Sequence, residues 1–141
     1  MKKVVLFIAL MFFIPAFSQT GNTKTITVEI HQVIAKGGTV YISVSLSEEA
    51  YKKRKPDQSF TCEPSDSIKK AEITVPTGYC VINAYQDSNG NGKCDNNLIG
   101  IPKEPVGITN WDGKGVPGSF EKLKVNITDK TQTIRINLHQ L

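Results

Sequence analysis

Asp87, Asn89, Asn91 and Asp95 fall within one short run, Asp87-Ser88-Asn89-Gly90-Asn91-Gly92-Lys93-Cys94-Asp95. Oxygen-bearing side chains stand at every second position, followed by a glycine and then another carboxylate. That rhythm suits calcium, a hard cation that takes six to eight oxygens at about 2.3–2.6 Å from a tightly curled segment. Asp87, Asn89 and Asn91 fill the first, third and fifth positions of such a loop. Gly92 takes the sixth, where the sharp turn favours positive φ. Lys93 offers its carbonyl, with its amine left to water, and Asp95 at the ninth position binds directly or through water. At the twelfth position Leu98 replaces the bidentate Glu of an EF-hand. The site is therefore weak or completed from elsewhere, and Glu104 is the nearest candidate. A plainer reading stands beside this one, because Asn89-Gly90 and Asn91-Gly92 are also strong turn dipeptides that need no metal. A turn needs only one such pair, however, and does not account for the flanking Asp87 and Asp95.

Other chemistry-bearing residues form weaker patterns. Three cysteines are present, Cys62, Cys80 and Cys94. In an oxidising compartment, pairing is the expectation. A Cys62–Cys80 disulfide closes a loop of about 18 residues, worth roughly 3 kcal/mol in the chain-entropy account; Cys62–Cys94 is the competing pair. Cys94 occupies the eighth loop position, usually an inward apolar residue, and reads as a small buried hydrophobe with a free thiol. No Cys-x-x-Cys and no histidine cluster accompanies them, which argues against zinc. His31 and His139 lie far apart, no Gly-x-Ser-x-Gly elbow marks a nucleophile, and Gly113-Lys114-Gly115 lacks the phosphate-loop spacing. No catalytic constellation is recognisable.

The elements that must hold the loop read as strands. Met1 to Ser18 has the form of a secretory signal, with Lys2 and Lys3 ahead of the apolar run Val4–Phe13 and a small-x-small site at Ala16-Phe17-Ser18. The run is too short to span a bilayer comfortably. Residues 19–141 then form a single exported domain, secreted or periplasmic. Of 17 basic residues, Lys2 and Lys3 belong to the leader, so 15 face 13 acidic ones, a formal charge near +2. With no basic block or aromatic RNA motif, nucleic acid is not a partner class to expect. A cell-envelope or extracellular partner is.

Lys24 to Ala35 alternates Ile26, Val28 and Ile30 against polar residues, the period of a half-buried strand. Lys36-Gly37-Gly38 turns it, and Thr39 to Leu46 returns as the second arm of an opening hairpin. Ser47 to Phe60, with Lys52-Lys53-Arg54-Lys55 and Pro56, reads as a crossing loop with room for one helical turn after Ser47. Lys70–Val75, Tyr79–Gln86, Leu123–Ile127 and Thr131–Leu138 supply further strands. Between them lies a long glycine- and proline-rich connection, Asn96–Phe120, on whose span Trp111 is placed to cap the core. About seven short strands and no long helix imply an all-β fold, a two-sheet antiparallel β-sandwich of immunoglobulin-like or prealbumin-like type.

The run Tyr79 to Lys93, then Asp95, Gly100-Ile101-Pro102-Lys103-Glu104, Gly107, Thr109-Asn110 and the block Pro117, Ser119-Phe120-Glu121, resembles the bacterial family called domain of unknown function 2141. The resemblance covers roughly Lys24 to Leu138 and implies an exported protein without naming an activity. Gln86 stands where that family typically has His, and Cys94 where it has Leu. The motif Asp-x-Asn-x-Asn-Gly-x-x-Asp followed by Gly-Ile is also similar to the calcium-bearing B-type repeats of surface adhesins, which act as rigid stalks. Val75-Pro76-Thr77-Gly78-Tyr79 looks like the strand-turn-strand entry of prealbumin-like domains. Two classes follow: a calcium-stabilised binding or structural module, or a small secreted enzyme or ligand carrier with a cleft built from the 96–120 loop. A concave apolar pocket with convergent polar groups favours the second, a flat loop the first.

Overall fold

The computed structural model describes residues 21–63 and 66–141, so the leader expected at Met1–Ser18 lies outside the described residues. Eight strands and two short helices follow in the order β1 Thr23–His31, β2 Val40–Ser45, α1 Glu48–Lys52, β3 Gln58–Cys62, β4 Ile68–Pro76, β5 Gly78–Gln86, β6 Val106–Ile108, α2 Phe120–Leu123, β7 Val125–Ile127 and β8 Thr133–Asn137. One sheet has the order β4-β1-β8; the other runs β3-β2-β5-β6, with β7 also paired to β5. The two stack as the sandwich that strand alternation implies. Ile26, Val28 and Ile30 of β1 and Ile73 and Val75 of β4 meet Val40, Ile42 and Val44 of β2 and Ile82 of β5 in one buried core.

The opening hairpin is corrected. β1 pairs with β4 and β8, whereas β2 pairs with β3 and β5, so the two strands face each other across the core instead of sharing a ladder. Both carry a continuous row of β-branched residues on one face, and each row is fully buried only when the connection arches over the ~10 Å between stacked sheets. Gly38 makes the arch possible: at φ 100°, a Cβ there would stand 1.9 Å from the Asp87 carbonyl oxygen. The antiparallel expectation holds for every ladder but one, since β1 and β8 are parallel, with Val28 opposite Ile134 and Ile30 opposite Ile136. β7 lies on the other sheet, so the 128–132 turn carries the chain across the sandwich and delivers β8 in the same direction as β1.

The 47–60 stretch is more ordered than a crossing loop. Ser47 caps α1, its Oγ accepting from the Ala50 N–H at 3.1 Å, and Glu48 and Glu49 sit in the first turn, where the helix dipole favours carboxylates. Its last residues enter β3, the edge of the larger sheet. A second apolar cluster covers the outer face of that sheet, with Tyr51, Ile108 and Trp111 packed on Val81, Phe120 and Leu123. Trp111 thus caps the long connection as its position suggests. Among the described residues no helix is long and apolar enough to cross a membrane.

Candidate functional site

β5 ends at Gln86 and feeds directly into the Asp87–Asp95 loop. Two stacked tyrosines, Tyr41 of β2 and Tyr85 of β5, support it from the sheet, with ring centroids 4.9 Å apart and planes 6° from parallel. The Tyr85 hydroxyl donates to the Gly92 carbonyl at 3.3 Å. Burial, with Tyr41 adding to it, pushes the Tyr85 phenol up to about 12.

Asp87 is the loop's centre. It is 2 % exposed, and its Oδ1 accepts from the Gly90 and Asn91 N–H groups at 2.9 and 3.2 Å, while Oδ2 accepts from Gly92 at 2.6 Å. The turn this requires puts Gly90 at φ 73° and Gly92 at φ 76°, the latter the positive value anticipated at the sixth position. Asn89 Oδ1 shares the Asn91 N–H with Asp87, and Asn91 Oδ1 accepts from the Lys93 N–H at 2.9 Å. Both asparagine amides donate to the same oxygen, Asp95 Oδ2, each at 2.7 Å. Asp87, Asn89, Asn91 and Asp95 are therefore brought together around one loop interior, with Lys93 on its backbone. Donation from Asn89, then Asn91, holds the Asp95 carboxyl below its ordinary range.

Glu104 reaches the same loop by another contact. It is 3 % exposed, and its Oε2 accepts from the Asp95 N–H at 2.6 Å. The Lys103 N–H donates to the Asp95 carbonyl, and Asn96 bridges Pro102, so 95–104 folds as a small hairpin whose base is the loop itself. At its tip Asn97 Oδ1 accepts from the Ile99 and Ile101 N–H groups, leaving Leu98 fully exposed and Ile99 at 79 %. Among the described residues no three His, Cys, Asp or Glu side chains group closely enough to hold a metal by themselves; any cation here would draw on the asparagines as well.

The Cys62–Cys80 disulfide is corrected: all three cysteines are free. Cys62 stands opposite Val40 on β2, and Val40 opposite Gln86 on β5. Cys80 lies at the far end of β5, about 20 Å away at roughly 3.3 Å per residue, well beyond the ~4.4–6.8 Å a disulfide allows. Burial raises both thiols, that of Cys80 to about 11. Cys94 is half-buried, not sealed in the core. Burial, with help from Glu104 and Asp95, takes its thiol to about 11 as well.

In sequence, Gln86 stands out only as a departure from the family's His. It is fully buried and does structural work instead. Its Oε1 accepts from the Ile34 N–H at 2.8 Å, and its Nε2 donates to the Ile34 and Gly38 carbonyls. The side-chain amide thus imitates a strand edge and fastens the β1–β2 arch beside the loop. Its place at the end of an inward row, where an apolar residue belongs, was the available signal.

Beside the loop, on the outer face of the larger sheet, lies a cleft of about 580 Å³. Ser43 and Ser45 of β2 and Asn83 of β5 line its floor, and Ile108 of β6 continues it. Arg54 stands on one wall, and Cys94 on the other, which is the Asp87–Asp95 loop itself. The concave shape follows from the 94–102 hairpin and the 116–118 segment rising over the part of the sheet's outer face beside the second apolar cluster.

The family profile described as an uncharacterised protein conserved in bacteria matches residues 28–135. The chain belongs to that family, the one its 79–121 motif resembles. Among curated proteins and among solved structures, nothing matches the chain.

Proposed function

We propose that this chain is an exported β-sandwich module of the cell envelope or extracellular space, stapled by calcium in the Asp87–Asp95 loop. One observation carries the reading: the side chains of Asp87, Asn89, Asn91 and Asp95, spaced at alternate positions and then a carboxylate, are knit together around one loop. On binding an ion, the asparagine amides release Asp95, and their oxygens release the Asn91 and Lys93 N–H groups and turn inward, within a loop whose backbone turn is already formed. Two carboxylates, two amides and a carbonyl make a low-charge shell, and Glu104 is drawn toward it through the Asp95 backbone. Such a shell belongs to the extracellular range of calcium affinities, about 10⁻⁴–10⁻³ M. The leader-like Lys2-Lys3 and apolar run at the N-terminus support export into a compartment where calcium reaches those concentrations.

An ion of that affinity acts as a staple and not as a switch. At ten times Kd it stabilises the folded state by about 1.4 kcal/mol. Calorimetric titration of the protein with calcium, set beside the Asp87→Ala variant, tests this. The reading predicts one saturable site lost in the variant, and limited proteolysis within 96–120 that calcium suppresses and chelator restores. A digest unchanged by calcium, chelator and Asp87→Ala alike would leave the loop as a metal-free turn.

A further inference from the structure

The cleft on the outer face of the larger sheet has a chemistry of its own, independent of any ion in the neighbouring loop. Its floor is polar at one end and apolar at the other. Because Val44, Ile82 and Ala84 face the core, Ser43, Ser45 and Asn83 must face outward, and the register places Ser43 opposite Asn83 and Asn83 opposite Ile108. Ser43 Oγ donates to Asn83 Oδ1 at 3.0 Å, which fixes the amide and leaves its Nδ2 donor on the cleft side. Ser45, 4 % exposed as a residue, lines the same floor two positions further along β2.

The charged side chains on the walls are of one sign. Lys52 and Arg54 line the cleft and no Asp or Glu side chain does, while Leu141 at the end of the chain also borders it. Lys52 is engaged with Glu48 at 2.7 Å, whereas Arg54 makes no ion pair among the described residues. Arg54 sits at φ 53°, just past the C-terminal end of α1, so the backbone of that turn aims it toward the sheet instead of continuing the helix. A guanidinium presents a planar fork suited to a carboxylate. An apolar patch adjoins the charged residues, with Val106 and Ile108 on the floor and Pro102 and Pro117 above, while Tyr51, Tyr85 and Asn96 add polar atoms elsewhere in the lining. A volume of about 580 Å³ falls within the range of small-molecule sites.

We propose that this cleft binds a small organic carboxylate with an apolar or aromatic body, Arg54 pairing with the carboxylate, Asn83 Nδ2 and the Ser45 hydroxyl completing its hydrogen bonds, and Ile108 and Val106 receiving the body. The only unpaired formal charge among the lining side chains is that of Arg54, so a neutral or cationic ligand of the same shape is discriminated against.

4-Phenylbutyrate, with 4-phenylbutanamide as its uncharged counterpart, is a direct probe. Titrated into the isotopically labelled full chain, the carboxylate is expected to shift the backbone amides of Ser43, Ser45, Asn83 and Ile108 saturably, and the amide to bind about tenfold more weakly, the worth of one charge-assisted contact. Arg54→Gln is expected to weaken 4-phenylbutyrate by about tenfold and leave 4-phenylbutanamide unchanged. Retained spectral dispersion shows the variant to be folded. The inference is overturned if the two probes bind equally, if Arg54→Gln leaves their ratio untouched, if the perturbed amides lie elsewhere, or if no saturable shift occurs at millimolar ligand.

Discussion

Asp87 holds three backbone N–H groups with a buried carboxylate, so it shapes the loop before any ion arrives. Hydrogen bonds to a charged group contribute about 1.5–3 kcal/mol, and losing the acceptor leaves the donors unsatisfied. Asp87→Ala is therefore expected to lower stability by about 2–3 kcal/mol in urea unfolding even with chelator present, and additionally to erase the calcium increment. A variant that loses only the increment would mean the loop is shaped by its glycines alone. Asp95 gives a pH signature of opposite visibility. Its carboxyl is held below the ordinary 3.8 by Asn89 and then Asn91, so its contribution is complete above that value and is lost as pH falls through the lowered one. In metal-free solution the Asn89 and Asn91 side-chain amide resonances should move together with a midpoint below 3.8; a midpoint above it would contradict the shared contact. The thiols supply a third check. Counting them in denatured protein should return three, and native Cys80 and Cys94, both pushed to about 11, should alkylate slowly at pH 8.

Single elements were legible where their side chains alternate over a long enough span. β1, β2, β4 and β5 show two or more buried apolar residues at alternate positions, and that period survives in sequence. β3 does not, because an edge strand carries no fully buried residue and follows a basic run that reads as solvated. β6 spans only Val106–Ile108 inside the long connection, too short for any period, and exists because β5 offers it an edge. α1 was half-visible through Ser47 and its two glutamates. Ser47→Ala should destabilise by about 1 kcal/mol, the usual effect of losing such a cap, and should loosen the wall that carries Arg54. By contrast, the tip of the 95–104 hairpin touches nothing. Leu98→Ser should change the unfolding midpoint by no more than about 0.5 kcal/mol equivalent, because the Asn97 side chain holds that turn without help from its neighbours.

The molecule as a whole was legible as a class and not as a topology. Counts of strands and turns point to a sandwich, but nothing local records which sheet a strand joins, since both inner faces demand the same β-branched residues. The opening hairpin and the Cys62–Cys80 pair were misplaced for that one reason: nearness along the chain was read as nearness in space. The candidate loop is legible as a loop because all but one of its residues are nearly contiguous, so the fold has only to present it. A cleft is anticipated only from the 96–120 connection; that span does line it, but the floor also draws on β2 and β5, which nothing local to the connection records. One feature of the assembly also sets the order in which the chain can become native. β1 is the central strand of its sheet, and one of its two neighbours is β8, roughly 100 positions away and parallel to it. During synthesis β1 and β4 can meet early, but the second edge of β1 stays open until nearly the last residues have emerged. Pairing between such distant segments is slow, because closing a long loop comes before any of its contacts. A nascent chain halted before Thr133 would expose one edge of a flat, β-branched strand, a surface primed for misplaced pairing with another copy.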